Sequence, residues 1–131
     1  MAGETDLNTL LRELNPALDP ETYVFCTAPG ARYGDLAETQ PLATVAEAEG
    51  LTLVITPQAA DQASLPYEGT FRCVTLTVHS SLEAVGLTAA VAQVLAAQGI
   101  SANVIAGYHH DHILVPAARA DEALRLLSQP G

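Results

Sequence analysis

Residues 99–116 read GISANVIAGYHHDHILVP, and the reading of this stretch decides the fold. Ala102, Val104, Ala106 and Tyr108 alternate with Asn103, Ile105 and Gly107, which is the two-residue period of a strand. After His109 to Asp111, the run His112 to Val115 forms a second strand at hairpin spacing. Gly99 stands just past a helix end, where the chain turns left-handed. Upstream of it Leu87, Val91, Val94 and Leu95 fall at i, i+4, i+7 and i+8. Downstream, Pro116 opens a final helix with Ala120, Ala123, Leu124 and Leu127 in register. Further back, Phe71 to Val78 is a strand with Val74, Leu76 and Val78 on the face that meets the helices and Cys73, Thr75 and Thr77 on the other. From Phe71 the order is strand, helix, strand, strand, helix, which needs one more strand to complete a ferredoxin-like βαββαβ unit. No stretch after Leu127 supplies it.

The first half is read by the same rules. Leu7, Leu10, Leu11 and Leu14 place one apolar stripe on a short helix ended by Asn15 and Pro16. Tyr23 to Thr27 is a strand, Ala28 to Tyr33 a turn, and Leu42 to Val45 a short strand. In Leu51 to Thr56, Leu51, Leu53 and Ile55 share one face, and Pro57 then opens a helix through about Leu65. LVITPQAADQA (Leu53 to Ala63) matches ILVPAARADEA (Ile113 to Ala123), which points to two diverged copies of one unit. The expected fold is therefore α+β, with two ferredoxin-like halves, 1–68 and 69–131, each borrowing a strand from the other.

A chain of 131 residues, 49% of them hydrophobic, fits one compact domain or two small ones sharing a core. Fifteen acids stand against five basic residues, all arginine, for a net charge of -10. Nucleic acid and anionic lipid both reward clustered cations, so neither is an expected partner. A P-loop or Schiff-base lysine is excluded, because there is no lysine. Met1 to Thr70 carries a net -9 and Phe71 to Gly131 a net -1. Met1 to Leu11 lacks the pattern of a leader peptide, and no apolar run approaches the roughly 18 residues that span a bilayer, so a cytoplasmic protein is expected. Cys26 and Cys73 sit inside strand-like runs. In a reducing compartment they are small buried hydrophobes, with a disulfide as the alternative.

The segment LTVHSSLEAVGLTAAVAQVLAAQGISANVIAGYHHDHILVP, continuing into AARADEALRLL, resembles an ACT domain: a strand, a loop entering a helix, the words AxxGI at the helix end, an edge strand and a returning strand. The match covers Phe71 to Leu127. The whole chain, with ETDLNTLLRELNP, YVFCT and EGLTLVI, is similar to a group of bacterial tandem ACT proteins, and its C-terminal half also resembles the paired ACT domains of cytosolic arginine sensors. The resemblance implies allosteric binding of an amino acid at an interface between ACT units, commonly in a homodimer. The loop Ser80 to Gly86 departs from it, lacking the proline-glycine pair of many amino-acid-binding members.

In a ferredoxin-like unit the end of the first strand, the start of the first helix and the turn between the second and third strands meet at one edge. The ligand-binding candidates are therefore Ser80, Ser81, Val85, Gly86, Leu87, Asn103, Val104, Ile105, Tyr108 and Asp111. Helix-start amides can hold a carboxylate without any cationic side chain, Asp111 is the nearest carboxylate for an ammonium group, and Gly86 and Gly107 would allow close backbone approach. Each has a plainer reading. Ser80-x-x-Glu83 is a capping box, Gly86 a packing glycine, Tyr108 a half-buried sheet residue, and Asn103 a turn-forming side chain. The cluster His109, His110, Asp111 and His112, with His79 expected nearby, is a weak metal-ligand group with His79, His110 and His112 as its candidates, since only His110 and His112 share a strand face and no second ligand pair reinforces them. No cofactor is expected. Catalysis has little support: Ser81 with His79 and Asp111 lacks a nucleophile elbow, and the pairs Glu47 with Glu49 and Asp121 with Glu122 are surface charge. Three readings thus compete: an amino-acid sensor, a ligand-free oligomerisation or interaction module whose edge strand pairs with another subunit, and a metal-binding protein or enzyme.

Overall fold

The computed structural model describes residues 14–77 and 86–128. The expected helix over Leu7 to Leu14 lies outside these residues apart from Leu14, which is fully buried. Two compact units emerge, one of residues 21–71 and the other of residues 1–20 with 72–131. Strand β1 (Pro16–Pro29) contributes its first five residues to the second of these and the rest to the first.

In the unit of residues 21–71, β3 (Gly50–Ile55) lies between β2 (Ala43–Glu47) and the later part of β1, antiparallel to both. β1 is longer than the expected Tyr23 to Thr27. Ala28 and Pro29 pair with Leu51 and Gly50, so the turn begins only at Gly30. Pro29 fits here because a strand end can forgo an N–H donor. Gly50 has φ 148°, and a Cβ on it would lie 2.4 Å from the Ala28 carbonyl oxygen, so the close β1–β3 approach requires glycine. Leu51, Leu53 and Ile55 pack on one face with Val24, Cys26, Ala28 and Ala60. Val54, on the opposite face, is buried as well.

Helix α1 (Pro57–Gln62) starts at Thr56, whose Oγ1 accepts from the Ala59 amide at 3.2 Å. It stops short of the expected Leu65. Ser64 takes a left-handed φ of 59°, its amide bonds the Asp61 carbonyl, and the Leu65 amide bonds the Ala60 carbonyl at 2.9 Å. That pattern is a Schellman close, made with serine where glycine is usual.

The other unit is built around β4 (Phe71–Leu76), α2 (Leu87–Ala96), β5 (Asn103–Ala106), β6 (Asp111–Pro116) and α3 (Ala120–Ser128). Its strands run in the order β1 start, β4, β6, β5. The start of β1 thus takes the place, beside β4, of the additional strand that the expected βαββαβ unit needs. Leu14 and Asn15 carbonyls accept from the Thr77 amide, Thr77 Oγ1 donates to Asn15 at 2.7 Å, and Arg72 donates twice to the Asp19 carbonyl, at 3.1 and 2.9 Å. The pairs 14 with 77 and 19 with 72 make this an antiparallel seam. Leu14, Val74, Leu76, Leu87, Val91, Leu95, Ile100, Ile113, Val115, Ala120, Ala123 and Leu127 form one core. Gly99, at φ 74°, closes α2: the Gly99 amide bonds Ala96 and the Ile100 amide bonds Leu95 at 3.0 Å, placing Ile100 in the core.

The internal repeat is visible in three dimensions. Thr56 and Pro116, 60 residues apart, both hold extended backbone before a helix, and Ala60 and Ala120 are both buried against their own sheets. The copies differ at one point. Pro116 has no side-chain acceptor with which to cap a helix, and it is the last residue of β6 rather than the first of the final helix. A 3₁₀ turn (Ala117–Arg119) intervenes before α3. Arg119 then bridges Glu122 at 2.7 Å and donates to the Gln98 carbonyl at 2.9 Å, joining the start of α3 to the end of α2.

Leu14→Ala should destabilise the unit it completes by about 3 kcal/mol in urea unfolding, because a buried leucine is lost from a packed core. A loss below about 1 kcal/mol would show that the first strand is dispensable. The Glu122 carboxyl is held below its ordinary value, mainly by the Arg119 hydrogen bond. Its contribution to stability is present above the unfolded value and lost as pH falls through the lowered folded one. In Arg119→Ala its titration, followed by carbon-detected NMR, should move up toward the ordinary 4.5.

Candidate functional site

The site grows from the end of β4. The β4–α2 connection carries His79, Ser80, Ser81 and Val85, which lie outside the described residues, and re-enters them at Gly86. Gly86 is the N-cap of α2, with φ 100° and no side chain to cap the first turn. The helix that carries Leu87, Val91 and Leu95 therefore begins at Leu87, while Ser80 and Glu83 of the expected capping box lie outside the described residues. The amide of residue 90 is bonded to the Gly86 carbonyl at 2.8 Å. The amides of residues 87–89 belong to the first turn, which has no intrahelical acceptor, and the dipole adds partial positive charge there. This end of α2 can receive an anion.

The β5–β6 hairpin lies on the other side of β4 from the start of β1. Thr75, next to last in β4, makes a 3.0 Å hydrogen bond with His112 Nδ1, the second residue of β6. The end of β4 and the start of β6 thus lie side by side. The turn is tighter than expected: Asp111 already belongs to β6, opposite Ala106, and the Gly107 amide donates to the His110 carbonyl at 2.9 Å, leaving Tyr108 and His109 at the tip. A Cβ on Gly107 would lie 2.8 Å from the His110 carbonyl oxygen and 3.3 Å from His112 Nε2. Glycine here answers to lack of room.

The candidate residues separate by what their side chains already do. Leu87 is buried in the core and Val104 packs against it, so each offers backbone only. Asn103 Nδ2 donates to the carbonyl of its cross-strand partner Leu114 at 3.2 Å, so its side chain is bound within the hairpin. Ile105 pairs with His112 on the opposite sheet face. Tyr108 is 75% exposed, its ring edge-on to His109 at 5.0 Å, which removes the half-buried sheet reading. Asp111 is half-buried at the hairpin base.

Among the described residues no three His, Cys, Asp or Glu side chains are grouped to hold a metal. His110 Nδ1 is buried with no hydrogen-bond partner, while His112 Nδ1 is occupied by Thr75. Both cysteines are free and buried. Burial pushes both thiols up, with Asp61 adding to the effect on Cys26, while the Thr75 hydroxyl partly offsets it on Cys73. They are protonated, unreactive core groups.

Sequence reasoning missed Thr75 as part of the site and Thr77 as part of the β1–β4 seam. The only signal was their place on the β4 face opposite Val74 and Leu76, which says where they point and not what they meet.

An ACT-domain family model matches residues 2–72, and a second ACT-domain model matches residues 68–129. No curated protein matches the chain. Among solved structures, a Vibrio cholerae protein of unknown function, described as a possible transport protein, is 53% identical with a TM-score of 0.86, over 97% of this chain and 96% of that one. An Agrobacterium tumefaciens protein has a TM-score of 0.71 at 16% identity, over 86% of this chain and 85% of that one. The ligand-free regulatory subunit of aspartate kinase from Thermus thermophilus has a TM-score of 0.64 at 14% identity, over 92% of this chain and 99% of that one. At such low identity the last two show the fold alone. No helix among the described residues is long and apolar enough to cross a membrane.

Gly107→Ala should destabilise the hairpin by about 1–3 kcal/mol in chemical denaturation, because the methyl meets backbone oxygen, which cannot swing aside as a side chain can. An unchanged midpoint would show that the turn has room to open.

Proposed function

This chain belongs to the ACT-domain family, whose domains are regulatory modules that sense amino acids and often oligomerise, and from that premise we propose that it is a non-enzymatic sensor of an amino acid or similar small zwitterion. One observation carries the reading: α2, the helix that follows β4, begins at a glycine with no side-chain cap, and the end of β4 itself is joined to the start of β6. In this reading the ligand carboxylate sits on the amides of Gly86, Leu87 and their neighbours, with Ser80, Ser81 and Val85 in the preceding loop. The ammonium group meets Asp111 and carbonyls of the β5 edge at Asn103, Val104 and Ile105, and Tyr108 closes over the side chain. Leu87 and Val104 act through backbone alone. The working molecule is a cytoplasmic homodimer whose ACT halves are residues 1–68 and 69–131.

An arrangement without lysine favours such a ligand. A zwitterion needs only one partial positive and one negative site, which helix-start amides and a carboxylate supply without any lysine.

Calorimetry with each of the twenty amino acids should give saturable heat for one or a few of them. Gly86→Ala, a non-glycine residue forced to φ 100°, should weaken that binding at least about tenfold while circular dichroism retains the fold. Heat from none of the twenty, or undiminished binding in Gly86→Ala, would sink the reading.

A further inference from the structure

β2 forms the edge of the sheet in the unit of residues 21–71: its one partner among the described strands is β3. Natural edge strands are protected by lysine, by proline within the strand or by an inward-pointing charge. β2 reads ATVAE and has none of these, since its one charge, Glu47, is turned outward and accepts from Thr52 Oγ1 on the neighbouring strand. Val45, opposite Thr52 in the register, is 54% exposed, and Leu42, just before the strand, is 37% exposed. Open backbone groups and an exposed apolar side chain are what an added strand uses, the first for affinity and the second for register.

The charge around this edge selects the occupant. This unit holds seven carboxylates and one cation, Arg32. Glu47 ends β2, Glu49 lies in the turn that follows, and both are exposed. A second copy laid along β2 would bring another chain of net charge -10 against a unit that already holds seven carboxylates and one cation. Like charges along a strand pair destabilise it, whereas lysine or arginine opposite Glu47 and Glu49 stabilises it. We propose that β2 is a docking edge for an extended basic segment of another protein, with Lys or Arg alternating with apolar residues, which adds to the sheet as a further strand. This surface lies outside the ligand-binding residues above and stands independently of them.

The test uses the full chain and a fluorescein-labelled octapeptide alternating lysine and valine, with two controls: the same design in glutamate, and a lysine peptide of equal charge interrupted by proline. Anisotropy should rise with the first peptide alone, and its affinity should fall at least about tenfold between about 50 and 500 mM salt. Val45→Lys, at an exposed position that tolerates the change, should weaken binding at least about fivefold, and amide shifts on titration should be largest over residues 42–47. Three results would overturn the proposal: equal binding of the proline-interrupted peptide, which is charge attraction without strand addition; largest shifts elsewhere in the chain; or self-association that Val45→Lys abolishes, which makes a second copy the occupant.

Discussion

The seam between the start of β1 and β4 is the constraint on which the site-bearing unit depends. Two helices and three strands from the second half of the chain leave β4 with an open side, and Leu14 to Pro20 occupies it. The anchoring is polar at both ends, through Thr77 with Leu14 and Asn15, and through Arg72 with Asp19, while Leu14 enters the core with Leu76 and Leu95. Asn15 takes a left-handed φ of 47° at the corner, a conformation asparagine tolerates better than most residues. A segment from the start of the chain thereby fixes the strand whose end leads into the candidate ligand loop.

The two copies of the repeat show how one plan tolerates different capping chemistry. In both, a strand feeds an extended residue and then a helix whose small alanine, Ala60 or Ala120, lets the helix backbone approach the sheet. Thr56 satisfies its first turn with a hydroxyl. Pro116 cannot, and the chain tightens through a 3₁₀ turn instead. The helix that matters for the proposed site has a third solution, because Gly86 supplies no cap at all and leaves first-turn amides for another acceptor. A side-chain cap takes one or two of those donors, whereas glycine takes none.

The histidine-rich turn is the place where reading residue types misleads most. His109, His110, Asp111 and His112 invite a metal, yet the hairpin divides them. His109 stands at the tip against Tyr108, and His112 is committed to Thr75. Gly107 has no side chain because the His110 carbonyl and the His112 ring occupy that space. The Asn103 side chain braces its own hairpin, which leaves only backbone at that position for the proposed ligand.

The sequence alone determined the order and type of the elements from Phe71 onward, the glycine close of α2, the hairpin, the repeat and the need for one additional strand, but not that β6 runs from Asp111 to Pro116 with a 3₁₀ turn before the last helix. Each of these follows from local periodicity, from the left-handed freedom of glycine or from the absence of a side-chain donor, and such features act within a few residues. Only the tertiary structure decided which segment filled the vacant side of β4, that Thr75 holds His112, and that β2 is left as an edge. Those are pairings across tens of residues. The alternation of a strand says which side chains share a face, but neither the partner nor the cover of that face is written in it.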